Sequence, residues 1–294
     1  MTQNAIYVEH LKKEYPGFAL QDVSFSVPQG SIVGFVGENG AGKTTTIKAL
    51  LGIIHSEGRI ELLGRDARAQ EEQIREQIGV VFDDCHFHES FRLKQIDAVM
   101  KRMYRSWDSG LFARYAGQMK LPQGKTVKEF SRGMRMKLSI AVALAHHPRL
   151  LILDEATSGL DPIVREEILD LFLEFIQQED HSIFFSSHIT SDLDKIADYI
   201  IFLHDGKVVF EREKNELLES SGILRCGRQV FEGLPPDAAL RFRKHDFGYE
   251  ALVDRRHPVF REHPDWVVDP ASIEDIMLFL VRGKQREKTG GERE

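Results

Sequence analysis

A glycine-rich stretch lies between an apolar run and a helix-forming run, and it limits the folds that are open to this chain. Residues 37–45 read GENGAGKTT and fit the pattern G-x-x-x-x-G-K-[ST]. Residues 31–36, SIVGFV, predict a buried strand. Residues 44–51 place apolar side chains at 47, 50 and 51, which is one face of a helix. The sequence therefore predicts a strand, a glycine loop and a helix in direct succession.

Such a turn is suited to binding phosphate. Glycines let successive backbone N–H groups converge on an anion, and the N-terminus of the helix adds partial positive charge. Lys43 can reach the terminal phosphates, and the Thr44 hydroxyl is placed to bind the accompanying Mg²⁺. A chance glycine-rich turn is the alternative, which the correct flanks disfavour. The candidate nucleotide-binding residues are Gly37, Glu38, Asn39, Gly40, Ala41, Gly42, Lys43, Thr44 and Thr45.

Length and charge limit what else the chain can be. Its 294 residues, 42% of them apolar, are enough for one large core and a smaller second module. A formal charge of −7 argues against a general nucleic-acid-binding surface, so no nucleic acid is expected as a partner. The two cysteines, Cys85 and Cys226, fit a reducing cytosol. Because no apolar run approaches the ~20 residues that span a bilayer and no signal peptide is evident, membrane association is expected to come through a partner.

Two carboxylates follow an apolar run in the middle of the chain. Residues 150–153, LLIL, precede Asp154 and Glu155, which is typical of a central parallel strand covered on both faces. Ligands gather at the carboxyl ends of such strands. Asp154 is therefore placed to hold Mg²⁺ through a water, and Glu155 to accept a proton from an attacking water. A solvated acidic strand end is the alternative.

A second buried strand, predicted at 182–187, ends at His188. It follows a helix that is predicted to begin at Pro162 with Asp161 as its cap. A lone histidine at a strand end is more often structural than catalytic. Here, however, the order of strand, helix and strand brings His188 to the edge that carries the phosphate loop.

The distribution of apolar residues and turn signals predicts where the domains of the chain begin and end. From Asp83 to about 147 the apolar residues recur at helical spacing, which predicts a helical insert. Asp205-Gly206, between two apolar runs, predicts a hairpin that completes a first domain near 218. Further strands are predicted at 6–10, 23–27, 59–64 and 78–82.

The residues that follow, 219–283, predict a small accessory α/β module. Ser272 and Asp275 form a capping pair ahead of an apolar helical face. Residues 284–294 predict a charged, disordered tail. Within the module, strands are predicted at 249–253 and 266–268 and helices at 236–243 and 272–281.

Taken in order, the motifs resemble those of the ATP-binding-cassette (ABC) ATPases. Residues 129–134, EFSRGM, are similar to the signature segment of that family. Residues 158–161, SGLD, are similar to its D-loop, and Ser187-His188 to its switch histidine. With the phosphate loop and the carboxylate strand, these five motifs cover residues 1 to about 218 in the family's order.

The resemblance implies a fold and a dimeric mechanism. The fold would be α/β: a P-loop NTPase with a RecA-like mixed sheet core, an antiparallel β subdomain, a helical ABC subdomain at about 83–147 and a small C-terminal α/β module. Two cassettes, identical or different, would pair head to tail, with each ATP between the loop of one and the signature of the other. Lys43, Glu155 and His188 would be catalytic. Tyr15 would stack on adenine, and Ser131 and Gly133 would contact the γ-phosphate of the other cassette's ATP.

The resemblance also implies a function. The chain would be the ATP-hydrolysing subunit of a membrane transporter, with an exporter favoured. It would act as a peripheral protein at the cytoplasmic face, through integral membrane permease subunits on separate chains. The alternative is a soluble ABC ATPase in translation or chromosome maintenance. Those usually carry two P-loops in one chain or a long coiled coil, and this sequence has neither.

The sequence departs from the family pattern in two places, at Asp83 and in the signature segment. Asp83 stands where the family usually has a glutamine that touches Mg²⁺, and it either replaces that ligand or remains a loop charge. The candidate Mg²⁺ ligands are thus Thr44, Asp83 and Asp154. In the signature, Arg132 and Met134 replace the commonest glycine and glutamine, a version similar to that of exporter-type ATPases. The nearby Cys85, His86 and His88 match no standard metal-ligand spacing.

Overall fold

The chain forms two compact units in the computed structural model, which describes residues 3–285. The first unit ends at Glu211, ahead of the domain boundary predicted near 218, which stays a prediction. Most of the charged tail predicted at 284–294 lies outside the described residues.

The first unit holds two sheets and the helices that cover them. Its strands are β1 (Asn4–Tyr15), β2 (Phe18–Pro28), β3 (Ile32–Val36), β4 (Glu57–Leu62), β5 (Arg65–Asp66), β6 (Ile78–Val81), β7 (Leu150–Asp154), β8 (Ser182–Ser187), β9 (Tyr199–His204) and β10 (Lys207–Glu213). Its helices are α1 (Lys43–Leu50), α2 (Glu71–Arg75), α3 (Leu93–Met103), α4 (Ser109–Gln118), α5 (Arg132–Leu144), α6 (Pro162–Phe175) and α7 (Thr190–Ile196). The boundary between the two units falls within β10, after Glu211.

A six-stranded sheet forms the centre of this unit, with the order β10-β9-β3-β8-β7-β6. The pairs from β9 to β6 are parallel. All residues of β3, β7 and β8 are buried, as their uninterrupted apolar runs predict for strands covered on both faces. The second sheet, β2-β1-β4-β5, is antiparallel. The predicted α/β class with an antiparallel β subdomain is therefore confirmed.

Register within the central sheet positions the ends of its strands. Val36 lies opposite Ser187, and Asp154 lies opposite Ser186. The residue after each of β3, β8 and β7 therefore emerges at the same edge. Those three residues are Gly37, His188 and Glu155.

Between β6 and β7 the chain is largely helical. Residues 83–147 contain α3, α4, a 3₁₀ turn at Val127–Glu129 and α5, in agreement with the helical spacing of the sequence. Asp161 caps α6, accepting hydrogen bonds from the N–H groups of Ile163 and Val164, as predicted. Whether 83–147 acts as a separate subdomain stays a prediction.

The second unit is a smaller α/β arrangement around an antiparallel sheet of order β12-β13-β11-β14. The Ser272 hydroxyl and the Asp275 carboxylate form the predicted capping box of its last helix. Its elements are α8 (Lys214–Ser220), β11 (Ser221–Cys226), α9 (Arg228–Gly233), β12 (Ala239–His245), β13 (Gly248–Asp254), α10 (Val259–Glu262), β14 (Val268–Pro270) and α11 (Ile273–Arg282).

Two predictions for this unit need correction. The helix predicted at 236–243 is wrong, because this segment pairs antiparallel with β13 as strand β12. The Phe242 ring packs 4.8 Å from that of Phe231 and 6.2 Å from that of Tyr249. This packing across the sheet outweighs a weak local helix preference. The strand predicted at 266–268 is shifted, since β14 begins at Val268.

Three phenylalanines join the two sheets of the first unit. Phe25 of β2 stacks on Phe184 of β8 with ring centres 5.5 Å apart, and Phe35 of β3 lies 5.0 Å from Phe184. Phe184 is fully buried. The antiparallel sheet is therefore held against the central sheet by aromatic contact as well as by aliphatic side chains.

Replacing Phe184 by alanine tests this contact. We expect Phe184→Ala to lower the free energy of unfolding of the first unit by about 3–5 kcal/mol, because the change leaves a cavity between the sheets. Denaturant titration followed by circular dichroism measures it. Met103→Ala is the control, since Met103 is 65% exposed and its loss is expected to cost under about 0.5 kcal/mol. Equal shifts for both variants would contradict the prediction.

Candidate nucleotide site

A cleft of about 780 Å³ opens at the carboxyl edge of the central sheet. It brings together many of the residues that the sequence predicts for nucleotide, metal and catalysis. These are Asn39, Gly40, Gly42, Lys43, Thr44, Thr45, Asp83, Glu155 and His188. The cleft is also lined by Ser158 of the segment similar to the D-loop, by Asp205 of the predicted hairpin turn and by Arg132, noted above as a departure from the family pattern. Two further lining residues, Gly17 and Phe18, were not predicted from the sequence.

The phosphate loop needs glycine at particular positions. Gly40 and Gly42 have φ angles of +86° and +111°, in the left-handed region that other residues rarely adopt. A Cβ on Gly42 would lie 2.7 Å from the Phe18 ring, and a Cβ on Gly37 would lie 2.5 Å from the Leu203 carbonyl oxygen. No side chain caps α1, so its first N–H groups remain available to an anion.

Lys43 is the buried cation of this loop. Its side chain is 6% exposed, and its Nζ donates to the carbonyl oxygens of Gly37 at 2.7 Å and Glu38 at 3.3 Å. The same Nζ lies 3.3 Å from Oε1 of Glu155. The ammonium is thus held at the floor of the cleft, where phosphate oxygens can take the place of these partners.

Glu155 lies at the centre of the cluster. Its φ angle is +54°, which is unusual for a residue with a side chain. Its N–H donates to the Ser186 carbonyl oxygen at 3.1 Å, which ties this turn to β8. Its Oε2 lies 2.6 Å from Nδ1 of His188. Since Oε1 faces Lys43, the three residues predicted to be catalytic form one connected group.

Asp154 is a nearly fully buried carboxylate beside this group. It accepts hydrogen bonds from the hydroxyls of Ser186, at 2.6 Å, and Thr44. Burial raises the pKa of Asp154; the two hydroxyls oppose this, and the nearby carboxylates of Glu155 and Asp83 raise it further. An ionised Asp154 therefore needs more positive charge than its hydroxyl partners provide.

A hard divalent cation fits these groups. The Thr44 hydroxyl and the Asp154 carboxylate are oxygen donors of the kind that Mg²⁺ prefers. Within residues 3–285 no three side chains of His, Cys, Asp or Glu are grouped to hold a metal by themselves. Mg²⁺ usually keeps several waters and binds substrate phosphates as well, so two protein ligands suit it. Asp83 lines the cleft, and its role as a ligand stays a prediction.

Tyr15, Ser131 and Gly133 are among the predicted site residues that do not line the cleft. Tyr15 is 43% exposed, with the Lys13 ammonium 5.2 Å above its ring, whereas Phe18 across the tight turn does line the cleft. The Ser131 hydroxyl caps α5 by accepting from the Met134 N–H at 3.2 Å. Gly133 packs near Val164. The roles predicted for Tyr15, Ser131 and Gly133 stay predictions.

Several known proteins are similar to this chain in sequence, and solved structures are similar to it in fold. The family described as ABC transporter matches residues 20–158. The bacitracin transport ATP-binding protein BcrA of Bacillus licheniformis is 36% identical over 197 residues, 66% of this chain and 64% of that protein. The Nod factor export ATP-binding protein I of Burkholderia orbicola (strain AU 1054) is 30% identical over 308 residues, 96% of this chain and 98% of that protein. A solved structure of an ATP binding subunit of an ABC transporter has a TM-score of 0.66 and 26% identity, over 72% of this chain and 91% of its own.

Lys43→Ala tests the phosphate loop. We expect ATP to bind about 10- to 100-fold more weakly, because hydrogen bonds to a charged group contribute about 1.5–3 kcal/mol. Titration with ATP by calorimetry measures this. Lys48→Ala is a matched control, since Lys48 lies on the same helix with its side chain exposed. Unchanged ATP affinity in Lys43→Ala would count against the assignment of the loop.

Proposed function

We propose, because this chain belongs to the ABC transporter family of ATP-binding proteins, that it powers an exporter through permease subunits on separate chains. The chain is an ATPase of that family. The observation that carries its enzymatic role is the connected group of Lys43, Glu155 and His188 in the cleft. Export is supported by relatives that are named for bacitracin transport and Nod factor export.

In the proposed reaction each group has a task that follows from its position. Glu155 accepts the proton of the attacking water, and its contact with Nδ1 of His188 fixes the direction of the carboxylate. Lys43 moves its hydrogen bonds from the loop carbonyls to the β- and γ-phosphates. Thr44 and Asp154 are the residues that would hold Mg²⁺, which would offset the negative charge of the phosphate oxygens.

Head-to-tail pairing with a second cassette completes the site in this proposal. Ser131 and Gly133 are the signature residues expected to contact a γ-phosphate, and neither lines the cleft of its own chain. A second cassette, identical or different, can bring its own signature segment to this cleft. The chain then works as one half of a dimer.

In this proposal the chain acts at the membrane. The chain is peripheral at the cytoplasmic face and is held there by integral membrane permeases. Across residues 3–285 no helix combines the length and apolar character that a membrane crossing requires.

Recovery from the native membrane tests this arrangement. We expect a tagged chain to sediment with membranes and, after detergent extraction, to purify with an integral membrane chain in fixed ratio. An untagged strain is the control. Recovery in the soluble fraction alone, with full ATPase activity, would favour the alternative of a soluble ABC ATPase.

Glu155→Gln separates binding from turnover. The amide keeps the shape of the side chain but cannot accept the proton, so kcat should fall by about 100-fold or more while ATP affinity changes little. With ATP and Mg²⁺, dimers should accumulate in size-exclusion chromatography. Glu166→Gln is the control, because Glu166 makes an exposed ion pair with Lys195 on the surface. Wild-type turnover in Glu155→Gln would remove Glu155 from its role.

Asp83→Ala tests whether Asp83 serves as the Mg²⁺ ligand. As a ligand, its removal should raise the Mg²⁺ concentration needed for half-maximal ATPase rate, because a carboxylate binds this ion strongly. The measurement is ATPase rate against Mg²⁺ concentration. Asp84→Ala, one residue along, is the control. Superimposable curves for wild type and Asp83→Ala would show that Asp83 is a loop charge.

A further inference from the structure

A buried carboxylate outside the nucleotide cleft links the segment that carries Glu155 to the segment that carries His188. Asp192, on α7, is fully buried. Its Oδ2 accepts a hydrogen bond of 2.7 Å from the Thr157 hydroxyl, which is also buried. Its Oδ1 accepts from Nε of Arg165 on α6. A buried carboxylate is retained at low cost only when it is paired and hydrogen-bonded in this way.

Arg165 extends the connection along the surface of the fold. Its Nη2 donates to the Ser191 hydroxyl at 2.6 Å, while its Nε holds Asp192. Its side chain is 25% exposed, so the ion pair lies partly in solvent at the arginine end. One guanidinium therefore binds two successive residues of α7 and fixes that helix against α6.

The residues that make these contacts lie close in sequence to Glu155 and His188. Thr157 comes two residues after Glu155, and Asp192 comes four residues after His188. The segment after β7 and the segment after β8 are thus joined twice: by Glu155 with His188 at 2.6 Å, and by Thr157 with Asp192 at 2.7 Å. Two links between the same two segments restrict rotation of one against the other, which a single link cannot do.

We infer that Thr157, Asp192 and Arg165 form a positioning brace that holds His188 and Glu155 in register for hydrolysis. None of the three lines the cleft, so they act through the residues they hold. Thr157 lies within the turn after β7, which the Ser158 N–H closes by donating to the Glu155 carbonyl oxygen at 3.0 Å. This inference rests on ATP hydrolysis by the chain and not on the direction of transport.

Thr157→Val is the sharpest test, because valine keeps the shape and removes the hydroxyl, while the Arg165–Asp192 pair stays intact. We expect kcat for ATP hydrolysis to fall about 10-fold, since small misplacements of catalytic groups are costly. The KM for ATP should stay within about twofold. Thr157→Ser, which restores the hydroxyl, should recover most of the lost rate.

A hydroxyl–carboxylate bond of the same length elsewhere provides the control. The Ser272 hydroxyl donates to Asp275 at 2.7 Å in the second unit, so Ser272→Ala should leave kcat unchanged. If Thr157→Val does not fold, Arg165→Lys is the second variant. Lysine keeps the positive charge but lacks the planar guanidinium that donates to Asp192 and Ser191 at the same time. The same loss of kcat at constant KM is expected.

Distinct outcomes separate this inference from the proposed function. Wild-type kcat in Thr157→Val, or kcat and ATP affinity that fall by the same factor without rescue by serine, would overturn the brace. A wild-type chain that binds ATP but does not hydrolyse it would overturn the catalytic assignment instead. Glu155→Gln, measured in parallel, sets the background rate against which both results are judged.

Discussion

Parallel pairing of β8 between β3 and β7 is the constraint on which the site depends. Because Val36 faces Ser187 and Asp154 faces Ser186, three distant parts of the sequence end at one edge of the sheet. The residue that follows each strand belongs to the nucleotide site: Gly37 after β3, His188 after β8 and Glu155 after β7. A slip of one residue in either pairing would turn the side chains of a whole strand to the other face. The buried phenylalanines between the sheets make such a slip costly.

Charge balance explains why this edge is suited to a metal–nucleotide complex. The carboxylates of Asp83, Asp154 and Glu155 lie close enough to interact, Glu155 also contacts Lys43, and burial raises the pKa of Asp154. A divalent cation such as Mg²⁺ would offset the carboxylates, whereas the phosphates of ATP would be attracted to Lys43 and the N-terminus of α1. Neither ligand alone satisfies both sets of groups. The site is therefore matched to a nucleotide that arrives with its cation.

Local patterns predicted the parts of this fold whose chemistry is contained in a few neighbouring residues. The phosphate loop, the two carboxylates at the carboxyl end of β7 and the capping box of α11 are of this kind, and each lies where the sequence predicts it. Prediction failed where partners come from far along the chain. Most of segment 236–243, predicted as a helix, lies in strand β12 (Ala239–His245), because β13 and the Phe231 ring lie beside it. The bond from Thr157 to Asp192 joins residues 35 positions apart, and neither residue belongs to a motif that would have drawn attention to it.

The two departures from the family pattern meet in space. Asp83 follows β6 and Arg132 opens α5, about fifty residues later, yet both line the nucleotide cleft and a neighbouring cavity of about 420 Å³. Relative to glutamine and glycine, Asp83 adds one negative charge and Arg132 adds one positive charge. The net charge of the shared lining is therefore the same as with the usual residues. A substitution that removes the charge of either residue alone would change the net charge of this shared lining by one unit, although the two residues are far apart in the sequence.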